Sequence, residues 1–166
     1  MKLAKLLNPR HIVSDMVAIE HWPAILELVD HLCAASQFAA QHHPEIIDAL
    51  QKREANNSTG IGGGVAIPHA FLDELEHVLA VFGRSRHGIN FDAHDQQPVH
   101  LIILFIVPKK DYHLHLATLA AIAKMFTNRE VCRCLLAAET DQEIHQILDP
   151  KATKTQESSH DSVRRT

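Results

Sequence analysis

A near-continuous apolar run at residues 99–107 constrains the fold of this chain more than any other feature. Apolar side chains at almost every position of a strand indicate that both faces are covered, as in a sheet between two helical layers. Pro108 has no backbone N–H and ends the run. Further strands are predicted at residues 64–67 and 78–84, with a possible edge strand at residues 12–19. The pattern predicts a layered α/β fold.

Helical periodicity accounts for most of the remaining chain. Apolar residues recur at helical spacing after Pro23, after Pro44 and in residues 111–126, and two shorter helices follow to residue 148. The side chains predicted to face the sheet are Ile25, Leu28, Val29, Leu32 and Cys33 in the first helix, Ile46, Ile47 and Leu50 in the second, and Leu116, Leu119, Ala120 and Ala123 in the third. Residues 1–148 are predicted to form a single domain, and the polar residues 149–166 a disordered C-terminal tail.

Composition excludes several classes of protein. Of the 166 residues 46% are apolar and 22% charged, the formal net charge is −4 and the basic residues are scattered, so no nucleic-acid partner is expected. The longest apolar run is far below the about 18 residues of a membrane span, which predicts a cytoplasmic protein that is not membrane-embedded. The three cysteines and fourteen histidines show no convergent zinc-type spacing, so we expect no metal and no cofactor.

Residues 58–70 read STGIGGGVAIPHA and are predicted to form a site for phosphate chemistry. Glycines without a Cβ permit a bend in which backbone N–H groups converge on an anion, and Ser58 and Thr59 add hydroxyl donors. A short apolar strand follows, and Pro68 is expected to make the chain leave the sheet at His69. Neither GxGxxG nor GxxxxGK[ST] is present, so a nucleotide-binding loop is not supported. A tight turn before a core strand would explain the glycines but not the Pro-His ending.

The run RExxxSTGIGxGxAIPH, which begins at Arg53 and ends at His69, resembles the fructose/mannitol-type enzyme IIA domains of the bacterial phosphoenolpyruvate-dependent phosphotransferase system. Later segments resemble the nitrogen-branch regulatory members of that family, in the same order: FDAHDQQPV at 91–99, LIILFIVP at 101–108, HLATLAAIAKMF at 115–126 and VCRCLLAAETDQEIHQIL at 131–148. Two departures are small, since Gly63 stands where the nitrogen-branch members often carry Asn, and Ala70 where Gly is usual. The resemblance extends from the N-terminus to about residue 148.

The resemblance implies a fold and a set of site residues. The fold is a three-layer α/β/α sandwich with a central mixed β-sheet. His69 is implied to be the phosphoacceptor, His115 the second active-site histidine and Arg53 a cation that faces the phosphate. The predicted phosphate-binding donors are Ser58, Thr59, Gly60 and Gly62.

His115 depends on the resemblance for its role. It occupies the first turn of a predicted helix, where sequence position alone favours an ordinary histidine satisfied by solvent. The match HLxxLAxIA favours an active-site histidine instead. His113, two positions earlier, does not match and is assigned to the surface.

The function implied is that of a regulatory phosphocarrier of the nitrogen branch. It would accept a phosphoryl group on His69 from an HPr-like histidine phosphocarrier protein and regulate partners, such as kinases or potassium transporters, according to its phosphorylation state. One alternative is a sugar-specific, fructose/mannitol-type enzyme IIA that passes phosphate to a transporter IIB domain. Another is an interaction module that is not phosphorylated. A serine hydrolase is disfavoured, because Ser58 lacks the GxSxG context.

Overall fold

A six-stranded mixed sheet lies between two layers of helices in this computed structural model, which describes residues 6–149. The strands are β1 (Ile12–Val13), β2 (Gly60–Gly62), β3 (Val65–Ala66), β4 (His69–Leu72), β5 (Leu79–Ile89) and β6 (Val99–Pro108). The helices are α1 (His21–Ala35), α2 (Gln37–Gln41), α3 (His43–Asn56), α4 (Tyr112–Met125), α5 (Arg129–Ala137) and α6 (Asp141–Leu148). Short 3₁₀ turns at Pro9–His11 and Lys109–Asp111 precede β1 and α4. The tail predicted at residues 149–166 lies, apart from Asp149, outside the described residues.

Strand β6 is the centre of the sheet. The strand order is β1-β5-β6-β3-β2, and β4 also pairs with β6. β5 runs antiparallel to β6, whereas β3 and β4 run parallel to it, one after the other along the same edge. The strand predicted at residues 99–107 is thus confirmed, and so is the mixed sheet.

The side chains of β6 alternate between two hydrophobic cores, one on each face of the sheet. Even-numbered residues from 102 to 106 pack with α1, α2 and α3, and odd-numbered residues from 101 to 107 pack with α4, α5 and α6. Each fully buried Leu, Ile or Phe side chain contributes about 1.5–3 kcal/mol relative to exposure. Two buried faces therefore stabilise the central strand, and the three-layer α/β/α sandwich is confirmed.

The helices present mostly the predicted faces to the sheet. The inward positions of α1 and α3 are confirmed, with Cys33 and Ile47 only partly buried. In α4 the prediction is wrong for Leu116, which is 40% exposed, and for Ala120. The helix instead faces the core with Ile122, so its contact surface is rotated from the predicted one. None of the helices within residues 6–149 is long and apolar enough to cross a membrane.

The edge strand predicted at residues 12–19 corresponds to β1, which lies at one edge of the sheet but is only two residues long. β1 ends at Val13, and beyond it the chain turns and keeps only separate backbone contacts with β5 and Asn90, such as the 2.9 Å hydrogen bond from the Met16 N–H to the Arg84 carbonyl. The Glu27 carboxylate accepts hydrogen bonds from the backbone N–H groups of Val17, at 3.0 Å, and Ala18, at 2.8 Å. Two N–H groups are thereby satisfied without a neighbouring strand.

The prediction that the chain leaves the sheet at His69 is wrong. Strand pairing with β6 is interrupted for two residues, Ile67 and Pro68, and Pro68 has no N–H to donate. Its carbonyl nevertheless accepts a hydrogen bond of 3.0 Å from the Phe105 N–H. Parallel pairing with β6 resumes at once, with His69 opposite Phe105. His69 is therefore held at the first position of β4, on a rigid element.

Candidate functional site

The imidazole of His69 is partly buried and oriented by the backbone just before it. Its Nδ1 lies 2.9 Å from the carbonyl oxygen of Ile67. A carbonyl oxygen can only accept, so Nδ1 carries the proton and donates it. The lone pair of the neutral ring is then on Nε2, which is the nitrogen available to form a new bond.

The surroundings of His69 favour this neutral ring. Burial lowers the pKa of His69, and the positive charge of Arg53 lowers it further. The hydrogen bond to Ile67 and the charge of Glu54 act in the opposite direction and raise the pKa, but the net direction is below the ordinary value. A neutral imidazole is a nucleophile, whereas an imidazolium is not, so the site keeps His69 reactive near neutral pH.

Arg53 and Glu54 lie together in the last turn of α3. The Nη1 of Arg53 donates a 2.9 Å hydrogen bond to the Asn57 carbonyl, just beyond the end of the helix. The charges of both residues act on His69, as the direction of each effect on its pKa shows. The structure thus brings the predicted cation Arg53 into the electrostatic environment of His69.

Glu54 is a site residue that the sequence analysis did not single out. Its side chain is only 6% exposed, and Oε2 lies 2.8 Å from Nε2 of His21. The Thr59 N–H donates to Oε2 at 3.3 Å, and the Thr59 hydroxyl donates to Oε1. The available signal was its position four residues after Leu50, which places a carboxylate on the buried face of a helix.

The glycine-rich run forms a hairpin between β2 and β3. Gly62, Gly63 and Gly64 adopt φ values of 95°, 66° and 80°, which side chains with a Cβ rarely adopt. The Asp95 carboxylate closes the turn by accepting a 2.9 Å hydrogen bond from the Gly63 N–H. The turn before a core strand, which was the simpler interpretation of these glycines, is present.

The predicted phosphate donors form hydrogen bonds within the protein. The Ser58 hydroxyl donates to the Phe91 carbonyl at 3.0 Å and accepts from the Gly60 N–H at 3.1 Å. Thr59 is buried against Glu54, and Gly62 ends the bulged strand β2. Thr59 is thus bonded to Glu54, whose charge acts on His69, whereas the bonds of Ser58 and Gly60 and the pairing of Gly62 with Val65 lie within the protein around the hairpin. Contact of these four residues with phosphate stays a prediction.

His115 lies in the first turn of α4 and is 6% exposed, so it is not the solvent-satisfied histidine of the simpler interpretation. The start of α4 is joined to β4 through aromatic rings. Tyr112 lies against Phe71 with ring centroids 4.9 Å apart, and Phe71 is 6.2 Å edge-on from the ring of His69. His113 is exposed, as predicted, and contacts the ring of Tyr112.

Metal ligands do not converge in the part of the chain that the structure describes. No group of three or more His, Cys, Asp or Glu side chains in residues 6–149 is arranged to hold a metal ion. Cys33, Cys132 and Cys134 are free thiols.

Comparisons by sequence show the family to which the chain belongs. The family model described as "Phosphoenolpyruvate-dependent sugar phosphotransferase system, EIIA 2" matches residues 5–151. The "Nitrogen regulatory protein" of Escherichia coli K12 is 37% identical over 150 residues, which are 89% of this chain and 90% of that protein. The "PTS system fructose-specific EIIA component" of Haloferax volcanii is 37% identical over 139 residues, 81% of this chain and 89% of that protein.

Solved structures of enzyme IIA proteins have the same fold. The nitrogen regulatory protein IIA-Ntr from Neisseria meningitidis superposes with a TM-score of 0.81 at 30% identity, covering 88% of this chain and 98% of that one. IIA mannitol from Escherichia coli, at 19% identity and a TM-score of 0.69, covers 86% of this chain and 98% of that one and shares the fold. The chain belongs to the EIIA 2 family of the phosphoenolpyruvate-dependent sugar phosphotransferase system.

Proposed function

We propose that His69 is the phosphoacceptor and that it is phosphorylated on Nε2. The observation that carries this proposal is the hydrogen bond between Nδ1 and the Ile67 carbonyl, which leaves the Nε2 lone pair as the nucleophile. Burial and Arg53, which both lower the pKa of His69, support it. Family membership supports phosphotransfer through a histidine but does not select the residue.

The chain is a regulatory phosphocarrier of the nitrogen branch, in keeping with its similarity to nitrogen regulatory proteins by sequence and by fold. The donor would be an HPr-like histidine phosphocarrier protein, and the protein would act in the cytoplasm, where that donor acts. Phosphorylation would add a charge of about −1.5 to −2 at the partly buried start of β4. Such a charge changes which partners bind, so kinases or potassium transporters are candidate targets.

Transfer requires positioning and charge stabilisation more than acid–base chemistry. The Nε2 lone pair of His69 forms a bond to phosphorus while the bond between phosphorus and the donor's histidine breaks, and the donor nitrogen recovers its electron pair. Nδ1 keeps its proton and goes on donating its hydrogen bond to the Ile67 carbonyl. Arg53 would neutralise charge that develops on the phosphoryl oxygens, and His115 would contact them from the start of α4.

The phosphate-binding role of the hairpin is part of the proposal. Ser58, Thr59, Gly60 and Gly62 would supply hydroxyl and N–H donors once the phosphoryl group arrives. Because several of these donors already have internal partners, binding of the phosphoryl group requires shared hydrogen bonds or a small shift of the hairpin.

A sugar-specific enzyme IIA is the second candidate. It is supported by the fructose-specific relative from Haloferax volcanii, which is as similar to this chain in percentage identity as the Escherichia coli nitrogen regulatory protein. In that case the phosphoryl group would pass to a IIB domain. The third candidate, an interaction module without phosphorylation, is disfavoured by the neutral, oriented ring of His69.

Incubation with phosphoenolpyruvate, enzyme I and HPr, followed by intact mass and mapping of acid-labile phosphate, tests the proposal. We expect one phosphate on wild type, none on His69→Ala, and one on the matched control His113→Ala, whose side chain is exposed. Transfer onward to a IIB domain would favour the sugar-specific candidate. A His69→Ala variant labelled like wild type would disprove the assignment of His69.

A further inference from the structure

His21, the first residue of α1, is held between two carboxylates. Its Nε2 lies 2.8 Å from Oε2 of Glu54, and its Nδ1 lies 3.5 Å from Oδ2 of Asp92. The ring also lies against that of Phe91, with centroids 4.1 Å apart. Two carboxylates can accept from both ring nitrogens only if both nitrogens carry protons, so this geometry suits the imidazolium.

Glu54 connects His21 to the proposed phosphorylation site. Its side chain is 6% exposed, it accepts two hydrogen bonds from Thr59, and its charge acts on His69. Asp92 is different, because its side chain is 78% exposed and its charge is screened by water and salt. The partner that matters for His69 is therefore the buried carboxylate.

We propose that His21 is a positioning residue for phosphoryl transfer: its imidazolium neutralises the buried Glu54 carboxylate, so that phosphorylation of His69 is more favourable at low pH than at high pH. This inference rests on the proposed function. His21 does not contact the reacting atoms and acts through Glu54 and Thr59.

The physical reason is repulsion between like charges. A phosphoryl group on His69 adds about −1.5 to −2 charge to a site whose electrostatics already include Glu54. When His21 is protonated, its charge offsets that of Glu54. When His21 loses its proton, the buried carboxylate opposes the phosphoryl group, and low solvent exposure limits screening.

The charged groups around His21 favour its protonated form. The Glu54 hydrogen bond raises the pKa of His21, burial lowers it, and the charges of Glu54 and Asp92 raise it, with a net upward direction. Glu20, the preceding residue, accepts a 3.4 Å hydrogen bond from the Asn90 side chain. The nearest cation in sequence to Glu54 is Arg53, which donates to Asn57.

The test is the equilibrium constant for phosphoryl exchange with HPr, measured from the phosphorylated fractions between about pH 6 and pH 8.5. His21→Lys keeps a positive charge throughout, because the pKa of lysine is about 10.4, and His21→Gln is neutral throughout. Titrations of His69, of HPr and of the phosphoryl group are common to all variants, so the ratio of each variant to wild type isolates His21. His43→Gln is the matched control, since His43 also begins a helix and lies 3.5 Å from a carboxylate, Asp30, but is 43% exposed.

We expect His21→Gln to phosphorylate about threefold to tenfold less favourably than wild type at pH 6 and to approach wild type at pH 8.5. His21→Lys should match wild type at pH 6 and exceed it by a similar factor at pH 8.5. In a Glu54→Gln background, His21→Gln should have no further effect. Ratios that are constant with pH, or an equal effect of His21→Gln with and without Glu54, would overturn the inference.

Failure of this inference is distinguishable from failure of the proposed function. If wild type and His69→Ala alike remain unphosphorylated by HPr, the function itself is wrong. If wild type is phosphorylated on His69 and both His21 variants follow it at every pH, only the role of His21 is wrong. Melting curves of the variants, recorded without HPr, identify any variant that does not fold, and His21→Lys then carries the test by itself.

Discussion

At the scale of single residues, the chemistry of the site depends on which hydrogen bonds are already made. The Nδ1–H of His69 donates to the Ile67 carbonyl, and this bond leaves Nε2 as the nucleophile. The N–H and the hydroxyl of Thr59 both donate to the buried carboxylate of Glu54. These two bonds anchor the hairpin to the end of α3, where Arg53 lies.

Thr59→Val tests the anchor. The substitution keeps the shape of the side chain but removes the hydroxyl that donates to Glu54, so a buried carboxylate loses a donor. We expect the free energy of unfolding to fall by about 1–3 kcal/mol, measured by urea denaturation. Thr127→Val is the matched control, because its hydroxyl is exposed and donates to the Lys124 carbonyl rather than to a carboxylate. Equal effects of the two substitutions would contradict the anchor.

At the scale of secondary-structure elements, the hairpin β2–β3 shows that neighbouring glycines are required for different reasons. A Cβ on Gly60 would lie 2.8 Å from the Cα of Ala93, a contact that backbone cannot relieve easily. A Cβ on Gly63 would meet nothing within 4 Å, but the residue has a φ of 66°. Gly60 is thus required for close approach, and Gly63 for its dihedral angle.

Substitution at these two positions should separate the two requirements. Gly63→Asn is expected to cost less than about 1 kcal/mol, because Asn tolerates the left-handed region and the space is open. Gly60→Ala is expected to cost about 2–4 kcal/mol, since backbone has to move. Urea denaturation of both variants checks the order, and a Gly63→Asn variant less stable than Gly60→Ala would contradict it.

At the scale of the whole molecule, stability and pH are linked through the site. The pKa of His21 is raised from 6.5 in the folded protein, so its contribution is complete below about pH 6.5 and is lost as pH rises through the raised value. The pKa of His69 is lowered from 6.5, so its contribution is complete above about pH 6.5 and is lost as pH falls through the lowered value. The two histidines therefore limit stability from opposite sides.

His21→Gln tests the alkaline limit. At pH 6 the variant lacks the charged partner of Glu54 and should be less stable than wild type in urea denaturation. As pH rises from 6 to 8.5 through the raised pKa of His21, the wild-type histidine loses its proton, so the difference between the two proteins should shrink. A difference that does not change with pH would show that the hydrogen bond, and not the charge of His21, stabilises the fold.

The C-terminal boundary is also a property of the whole molecule. Leu148, the last residue of α6, is fully buried in the core, whereas residues 149–166 are the polar segment predicted to be a tail. Truncation after Asp149 should leave the melting temperature unchanged within about 2 °C, and Leu148→Ala in the full chain should lower the free energy of unfolding by about 2–5 kcal/mol. A large loss on truncation would show that the tail is docked.

Several features of this protein follow from the sequence alone, because they depend on local patterns. The apolar run of β6 predicts a covered central strand, and helical spacing predicts the inward faces of α1 and α3. The motif that singles out His69 and Arg53 is equally local, and their roles in phosphoryl transfer stay predictions. Each of these signals lies within a short stretch of chain. The inward face of α4 was predicted less well, since small and large apolar residues occur around most of that helix.

The surroundings of His69 were decided only by the tertiary structure. Glu54 meets His21 across 33 positions and Thr59 across five, and Asp92 reaches His21 from the loop after β5. No periodicity encodes such contacts, because they arise where separate elements end near one another. For the same reason Pro68, a strand breaker in the sequence, leaves only a two-residue gap in the pairing with β6. The backbone of β6 still offers hydrogen bonds beyond that gap, and β4 resumes on them.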